Sequence, residues 1–435
     1  MKKYFGTDGI RGIPNKTLTS DIVSKIATAV EEILKPKSVA VILDTRETSF
    51  EILDWICEGF SEDTEVVNYG ILPSGSMPIL LKEFNHELGV IISASHNPSE
   101  YNGIKLIDKY GSKLNDNLEL EIENLVPQVT LPVVRSVFKN SDNGYEVYLQ
   151  SLNDFLNFDL SNFDFVVDTA NGSASKVMED LFTTKGAKYK LISNSPDGNN
   201  INQNCGATYT QNLLDNLKSG QLGVAFDGDA DRLIMIDEMG NVCNGDILIL
   251  LIAKYLAATN QLNNNIVIST VMSNFGFKNA MKKNNFKNIE TDVGDKYVAE
   301  AMAENNASLG GEQSGHIIIS ELLPVGDGLL TMIFCLKALS FFNISLHEFR
   351  VDNITEYPQK LINLELETKL NLEQLEELNI LASNLVQVEN LDGRFLIRNS
   401  GTEPILRVLI EAKDIDILEN YSEKLIHKIK KHLQK

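Results

Sequence analysis

A chain of 435 residues, 43% apolar and 23% charged, is too long for one hydrophobic core and too apolar to be disordered, so three or four folded domains are expected. A formal net charge of −21 repels DNA, RNA and anionic lipid headgroups and argues against nucleic acid or a membrane surface as a partner. Cys57, Cys205, Cys243 and Cys335 stand far apart with no Cys-x-x-Cys pair, and no apolar run reaches the roughly 20 residues of a membrane span; a cytoplasmic protein with reduced thiols is expected.

The first predicted element is a helix from Asp21 to Leu34, with Ser20 as N-cap and Ile22, Ile26, Val30 and Ile33 on one face. Short β-branched runs then recur, each leading into a polar loop. Val39–Leu43 runs into Asp44-Thr45-Arg46, Val90–Ile92 into Ser93-Ala94-Ser95-His96-Asn97-Pro98, and Phe165–Val167 into Asp168-Thr169-Ala170-Asn171-Gly172. Val224–Phe226 runs into Asp227-Gly228-Asp229-Ala230-Asp231, and Ile266–Ile268 into Ser269–Asn274. Buried strands alternating with amphipathic helices read as α/β units, whose ligand sites lie at the carboxyl ends of the strands. A polar stretch at Phe138–Gly144, a long helix starting at Asp246, and a proline-containing break at Asp352–Gln359 suggest the borders. The expected architecture is three similar α/β domains with mixed sheets (1–143, 144–244 and 245–352) and a C-terminal α+β domain (353–435).

Asp227, Asp229 and Asp231 are spaced two residues apart. In an extended segment such residues share one face, so three hard oxygen ligands would converge on one divalent cation. A calcium-binding EF-hand loop is excluded, because Arg232 holds the sixth position where the turn needs glycine and both flanks read as strands. Ser95 beside His96 offers a nucleophile ahead of a helix-stopping proline, although serine and asparagine are also ordinary loop residues. Gly310–His316 collects Glu312, Gln313, Ser314 and His316, a set suited to sugar hydroxyls or an amino group. Arg398-Asn399-Ser400-Gly401-Thr402-Glu403-Pro404, with Arg407 beyond it, has the makings of a phosphate cradle, or of a solvated turn.

Taken in order, Phe5-Gly6-Thr7-Asp8-Gly9-Ile10-Arg11-Gly12, Ser95-His96-Asn97-Pro98, Asn102-Gly103-Ile104-Lys105, Asp227–Arg232, Gly311–His316 and Arg398–Pro404 resemble the α-D-phosphohexomutase superfamily over nearly the whole chain. Val271–Asn274, Val293–Val298, Pro196–Asn202 with Cys205–Ala207, and Gln313 are most similar to its phosphoglucosamine mutase family. The resemblance implies four domains around a central cleft, with the last one able to close. It implies Ser95 carried as phosphoserine, one magnesium ion held by Ser95, Asp227, Asp229 and Asp231, and a sugar bisphosphate as activator. Arg11, Lys105 and Arg232 would stabilise the charge in transit, with Lys105 and His316 moving protons and His96 ordering the loop. Glu312, Gln313 and Ser314 would hold the sugar; Arg398, Ser400, Gly401, Thr402 and Arg407 would grip the phosphate that is not reacting. The implied reaction interconverts glucosamine 6-phosphate and glucosamine 1-phosphate through a bisphosphorylated sugar, on the way to UDP-N-acetylglucosamine and the cell envelope. The implied state is a homodimer. A phosphomannomutase/phosphoglucomutase, or a non-catalytic sugar-phosphate-binding protein, would share most of these residues. Three places depart from the family pattern: Leu72–Pro78, Asn399 after Arg398, and Leu323–Gly328.

Overall fold

The structure, a computed structural model, describes residues 3–389, 391–400 and 404–433. The chain forms two compact units, one made of Met1–Thr270 with Lys287–Arg350 and the other of Val271–Phe286 with Val351–Lys435. Among the described residues there are four sheets.

Three of the sheets lie in the first unit. The first contains β1 (Ile10–Gly12), β2 (Ser38–Leu43), β3 (Glu65–Ile71), β4 (Leu88–Ile92), β5 (Asn102–Asp108) and β6 (Phe138–Asn140), in the order β1-β5-β4-β2-β3-β6. The second contains β7 (Asp164–Asp168), β8 (Lys188–Ile192), β9 (Leu222–Phe226), β10 (Leu233–Ile236) and β11 (Val242–Cys243), in the order β11-β10-β9-β7-β8. The third contains β12 (Ile266–Thr270), β13 (Lys287–Thr291), β14 (Leu309–Gly311) and β15 (Ile317–Ile319), in the order β13-β12-β14-β15. Each has a parallel core continued by antiparallel strands, and the change of direction comes at an equivalent place: β4 to β5, β9 to β10 and β14 to β15. All five residues of β4 and of β9 are buried, because helices cover both faces of such a sheet.

The polar stretch after residue 137 is not simply a linker. Its first three residues are β6, paired parallel to β3 at the edge of the first sheet. The first helix spans Ser20–Leu34 and is capped by Thr19, whose side chain accepts from the Ile22 N–H, so the cap lies one residue before the expected Ser20. Its buried stripe is Val23, Ile26, Ala27 and Val30. Ile22 and Ile33 pack at the flank, a rotation of the face by about one position. Helices Gly245–Ala258 and Gly328–Phe342 are apolar almost all round and correspondingly buried. No single helix among the described residues is long and apolar enough to cross a membrane. All four cysteines are buried, and none is in a disulfide.

The second unit carries the fourth sheet, antiparallel throughout, with β16 (Gln359–Glu365), β17 (Gly393–Asn399) and β18 (Ile405–Ala412) in the order β16-β18-β17. Helices Leu372–Glu389 and Ile415–Leu433 pack on it around Leu378, Leu406, Val408, Leu418 and Leu425.

Candidate active site

Three loops of the first unit occupy the same place in their sheets, joining a parallel strand to the antiparallel strand beside it. They hold Ser95 between β4 and β5, the aspartates between β9 and β10, and Glu312–His316 between β14 and β15. This topological repeat converts distant sequence motifs into one site.

Ser95 is buried and sits in the left-handed region at φ 50°. A non-glycine residue there stores about 1–3 kcal/mol unless its surroundings hold it. Here they do. Arg46 donates to the carbonyls of Ser95 (3.0 Å), Asn97 (2.9 Å), Pro98 (2.6 Å) and Tyr101 (2.8 Å), while its Nε pairs with Asp44 at 2.9 Å. Asp44 also accepts from Ser93 Oγ at 2.7 Å, and that hydroxyl accepts from the Ser95 N–H at 2.8 Å. Asn202 adds a donor to the Ser95 carbonyl at 2.8 Å. The Ser95 hydroxyl itself donates to Asp227 Oδ2 at 2.8 Å and lies 3.3 Å from His96 Nδ1.

Asp227, Asp229 and Asp231 are all buried, and each offers an oxygen within 4.8 Å of the others. They converge, but not as an extended segment would bring them together. The chain turns after Asp227, and Ala230 takes a positive φ of 57°. Asp229 Oδ1 and Asp231 Oδ1 are buried with no hydrogen-bond partner among the described residues. Orphaned carboxylate oxygens in a set of hard donors fit a divalent cation, and the triad could hold one. Burial, followed by the neighbouring Asp231 and Asp229 charges, pushes Asp227 well above the usual carboxylate range. Burial acts the same way on Asp231, but Lys105, His316 and Arg232 outweigh it and hold that carboxyl at about 2.

Lys105, from β5, places its buried ammonium 2.8 Å from Asp229, 3.0 Å from Asp231 and 3.1 Å from Asp8. Burial alone would lower its pKa; the three carboxylates keep it well above the ordinary value. Arg11 pairs with Asp8 and reaches Asn97 Oδ1 at 3.3 Å. Arg232 Nε lies 4.0 Å from Asp227, and the backbone of Arg232 pairs antiparallel with that of His316, joining the second and third loops. Desolvation, then Arg232 and Arg11, lower His96 to about 4, so it is neutral at pH 7. His316 Nε2 is 3.4 Å from Asp295 and 3.9 Å from Asp231. Glu312 Oε1 accepts from the Gly294 N–H at 3.1 Å, Gln313 offers its carbonyl to Gly245 N–H at 3.0 Å, and Ser314 Oγ is buried with no hydrogen-bond partner among the described residues.

In the second unit Arg398 and Arg407 are directly opposite one another on β17 and β18. Ser400 is buried and its N–H donates to the Ile405 carbonyl at 2.7 Å. Gly401 and Thr402 lie outside the described residues. Asn399 grips the backbone of Leu370, donating to its carbonyl at 2.8 Å and accepting from its N–H at 3.3 Å.

Several site residues were not singled out by sequence reasoning: Asp8, Asp44, Arg46, Ser74, Lys113, Asn202, Asp295 and Gly326. A signal existed for Asp44 and Arg46, a charged pair directly after a buried strand, and for Asp8, Asn202 and Asp295, which fall inside the motifs Phe5–Gly12, Pro196–Asn202 and Val293–Val298. Ser74, in one of the departing segments, donates to Asp229 Oδ2 at 2.9 Å. Gly326, in another, lies against the His316 ring; a Cβ there would be 2.4 Å from Nε2.

Family models for phosphoglucomutase/phosphomannomutase match in order along the chain: α/β/α domain I over residues 2–132, domain II over 146–240, domain III over 244–357 and the C-terminal domain over 361–428. A phosphoglucosamine mutase of Lactobacillus johnsonii is 39% identical over 98% of this chain and 98% of its own length. A phosphoglucomutase/phosphomannomutase family protein from Burkholderia thailandensis superposes with a TM-score of 0.81 at 21% identity, covering 99% of this chain and 98% of that one. An Aspergillus fumigatus N-acetylphosphoglucosamine mutase, solved in complex with GlcNAc-6P and magnesium, gives 0.69 at 17% identity over 98% and 95%. The chain belongs to the phosphoglucomutase/phosphomannomutase family, in its phosphoglucosamine mutase branch.

Proposed function

We propose that this protein interconverts glucosamine 6-phosphate and glucosamine 1-phosphate in the cytoplasm, supplying UDP-N-acetylglucosamine for the cell envelope. The observation that carries the reading is the Ser95 hydroxyl, 2.8 Å from Asp227 and held by a strained, fully braced loop beside two further buried carboxylates and Lys105. The names of the relatives, 37–39% identical over nearly the full chain, support the amino sugar as substrate.

In this reading Ser95 works as phosphoserine. One Mg²⁺ per chain, held by Ser95, Asp227, Asp229 and Asp231, would neutralise phosphate charge. Ser95 gives its phosphoryl group to the free hydroxyl of the bound sugar; the P–O bond to Ser95 breaks and one to the sugar oxygen forms. The hydroxyl proton leaves to His316, while Lys105, held as an ammonium by its three carboxylates, can only give a proton, to the departing Ser95 oxygen; His96 orders the loop. The sugar, now a bisphosphate, turns over, and its other phosphate returns to Ser95. Arg11, Lys105 and Arg232 balance the charge in transit, since such transfers depend on positioning and electrostatics. Glu312, Gln313 and Ser314 hold the sugar. Arg398, Ser400, Gly401, Thr402 and Arg407 take the phosphate at rest. A sugar bisphosphate restores enzyme that has lost its phosphoryl group. Segments 1–143, 144–244, 245–352 and 353–435 are assigned as the functional domains. The partner is a small phosphosugar, not nucleic acid or membrane, and the state is a homodimer, which light scattering can read.

The test is turnover by bisphosphate-primed protein in magnesium on glucosamine, glucose and mannose phosphates. A kcat/KM preference for the amino sugar of about 100-fold, roughly 2.7 kcal/mol, is expected. A preference for glucose or mannose phosphate would overturn the substrate assignment. No turnover of any of the three by protein carrying phosphate on Ser95 would overturn the mutase reading in favour of a binding protein.

A further inference from the structure

Lys113 and Asp295 are charged, largely buried, and unused by the phosphoryl path, yet they border it. Lys113 forms ion pairs with Asp8 Oδ1 and Asp295 Oδ2. Asp8 turns its other oxygen to Lys105, 3.1 Å away, and to Arg11. Asp295 Oδ2 is 3.4 Å from His316 Nε2, while His316 Nδ1 is buried with no hydrogen-bond partner among the described residues. Of the two carboxylates beside that ring, Asp295 is nearer than Asp231, which lies 3.9 Å away, and Gly326 closes against the ring. A cavity of about 20 Å³ between Lys105, Lys113, Asp231, Asp295 and His316 has room for about one water.

Asp295 opens the helix Asp295–Asn305, and its neighbour Lys296 makes a separate attachment, to Glu119 at 2.8 Å and Asp116 at 2.5 Å. Two ion-pair systems thus tie the start of this helix to the first α/β segment. Only the Lys113–Asp295 system touches the groups that handle protons; the other is an internal control for a purely structural tie.

We propose that Asp295 and Lys113 are positioning residues for the proposed mutase reaction. Asp295 fixes the plane of the His316 imidazole, and Lys113 locks Asp295 and Asp8, and through Asp8 the ammonium of Lys105. This inference rests on the mutase reading for its consequence but on geometry for its cause. A misplacement of about 1 Å at a reacting group costs on the order of 100-fold in rate.

The test compares Asp295→Asn, which keeps the side-chain shape, with Lys113→Met, their double variant and Lys296→Met. Expected for Asp295→Asn and Lys113→Met is a kcat loss of about 10- to 100-fold with KM within about twofold, and a double variant no worse than the poorer single, because the pair acts as a unit. Lys296→Met should lower Tm and leave kcat within about twofold. The ring-nitrogen NMR signals of His316, assigned with His316→Gln, should move in Asp295→Asn and Lys113→Met but not in Lys296→Met. Unmoved ring signals in Asp295→Asn with kcat intact, or an equal kcat loss in Lys296→Met, would overturn the proposal. Moved ring signals in a protein that turns over no phosphosugar would uphold the positioning and reject the mutase reading.

Discussion

The Ser95 hydroxyl donates to Asp227 at 2.8 Å although the two residues are 132 positions apart, and the Ser95 backbone is held in a conformation that serine rarely adopts. The proposed nucleophile and the first carboxylate of the triad are thus assembled as one unit. Removing either should affect the reaction far more than the fold. Ser95→Ala should lower turnover by at least about a thousandfold while shifting Tm by only a few degrees, as followed by a coupled mutase assay and thermal unfolding.

The two orphaned oxygens of Asp229 and Asp231 predict a thermal response to metal. Mg²⁺ at about 100 times its dissociation constant should stabilise the protein by about 2.7 kcal/mol, and EDTA should remove both that gain and the turnover. Burial and the neighbouring Asp231 and Asp229 charges raise the Asp227 pKa well above the ordinary carboxylate value, so its contribution to stability is present below that ordinary value and lost as pH rises through the folded value. A cation must displace that proton, so the Mg²⁺-induced rise in Tm should grow between pH 5 and pH 8. Asp229→Asn should blunt the response.

Arg46 donates to four carbonyls of the Ser95 loop and to Asp44 from a fully buried position. A lysine cannot reproduce that fork, so Arg46→Lys leaves several carbonyls and part of a buried charge unpaired. The expected result is a loss of about 2–4 kcal/mol in urea unfolding and a fall in kcat larger than the change in KM.

Asp327 caps the helix Gly328–Phe342 through the N–H groups of Leu329 (2.9 Å) and Leu330 (3.0 Å), and accepts from Tyr148 Oη at 2.8 Å. Burial pushes its carboxyl up to about 6 against those three hydrogen bonds. Because the folded pKa is raised, its stabilising contribution is complete below about pH 3.8 and lost by about pH 6. Asp327→Asn keeps a good cap without the charge. It should gain about 1–3 kcal/mol relative to the parent between pH 4 and pH 7 and level off above, measured as unfolding free energy against pH.

Arg398 and Arg407 are directly opposite one another on β17 and β18, and two guanidinium groups at one cross-strand position suit a phosphate. Arg407→Gln should raise KM for the phosphosugar by about 10- to 100-fold with a smaller effect on kcat, read from steady-state kinetics.

Much of this was determined by the sequence alone. Ser95, the three aspartates, Glu312–His316 and Arg398 sit in short linear motifs because each motif is one loop at a strand end, and runs such as Val39–Leu43 and Val224–Phe226 are strands because burial on both faces demands continuous apolar residues. Local chemistry fixed those elements. The tertiary structure decided how they are held. The aspartates converge through a turn with Ala230 at positive φ, a conformation that two-residue spacing does not predict. Arg46 reads as a loop residue until four carbonyls surround it. Lys113 and Asp295 are 182 positions apart; Asp295 falls in the Val293–Val298 motif, but nothing local to either residue names the other as its partner. Spacing along a chain constrains only neighbours within a turn or two of helix or strand, whereas a buried charge takes whatever partner the packing of distant elements supplies. The candidate nucleophile and candidate metal ligands could therefore be proposed from the sequence, whereas the ion pairs that surround them could not.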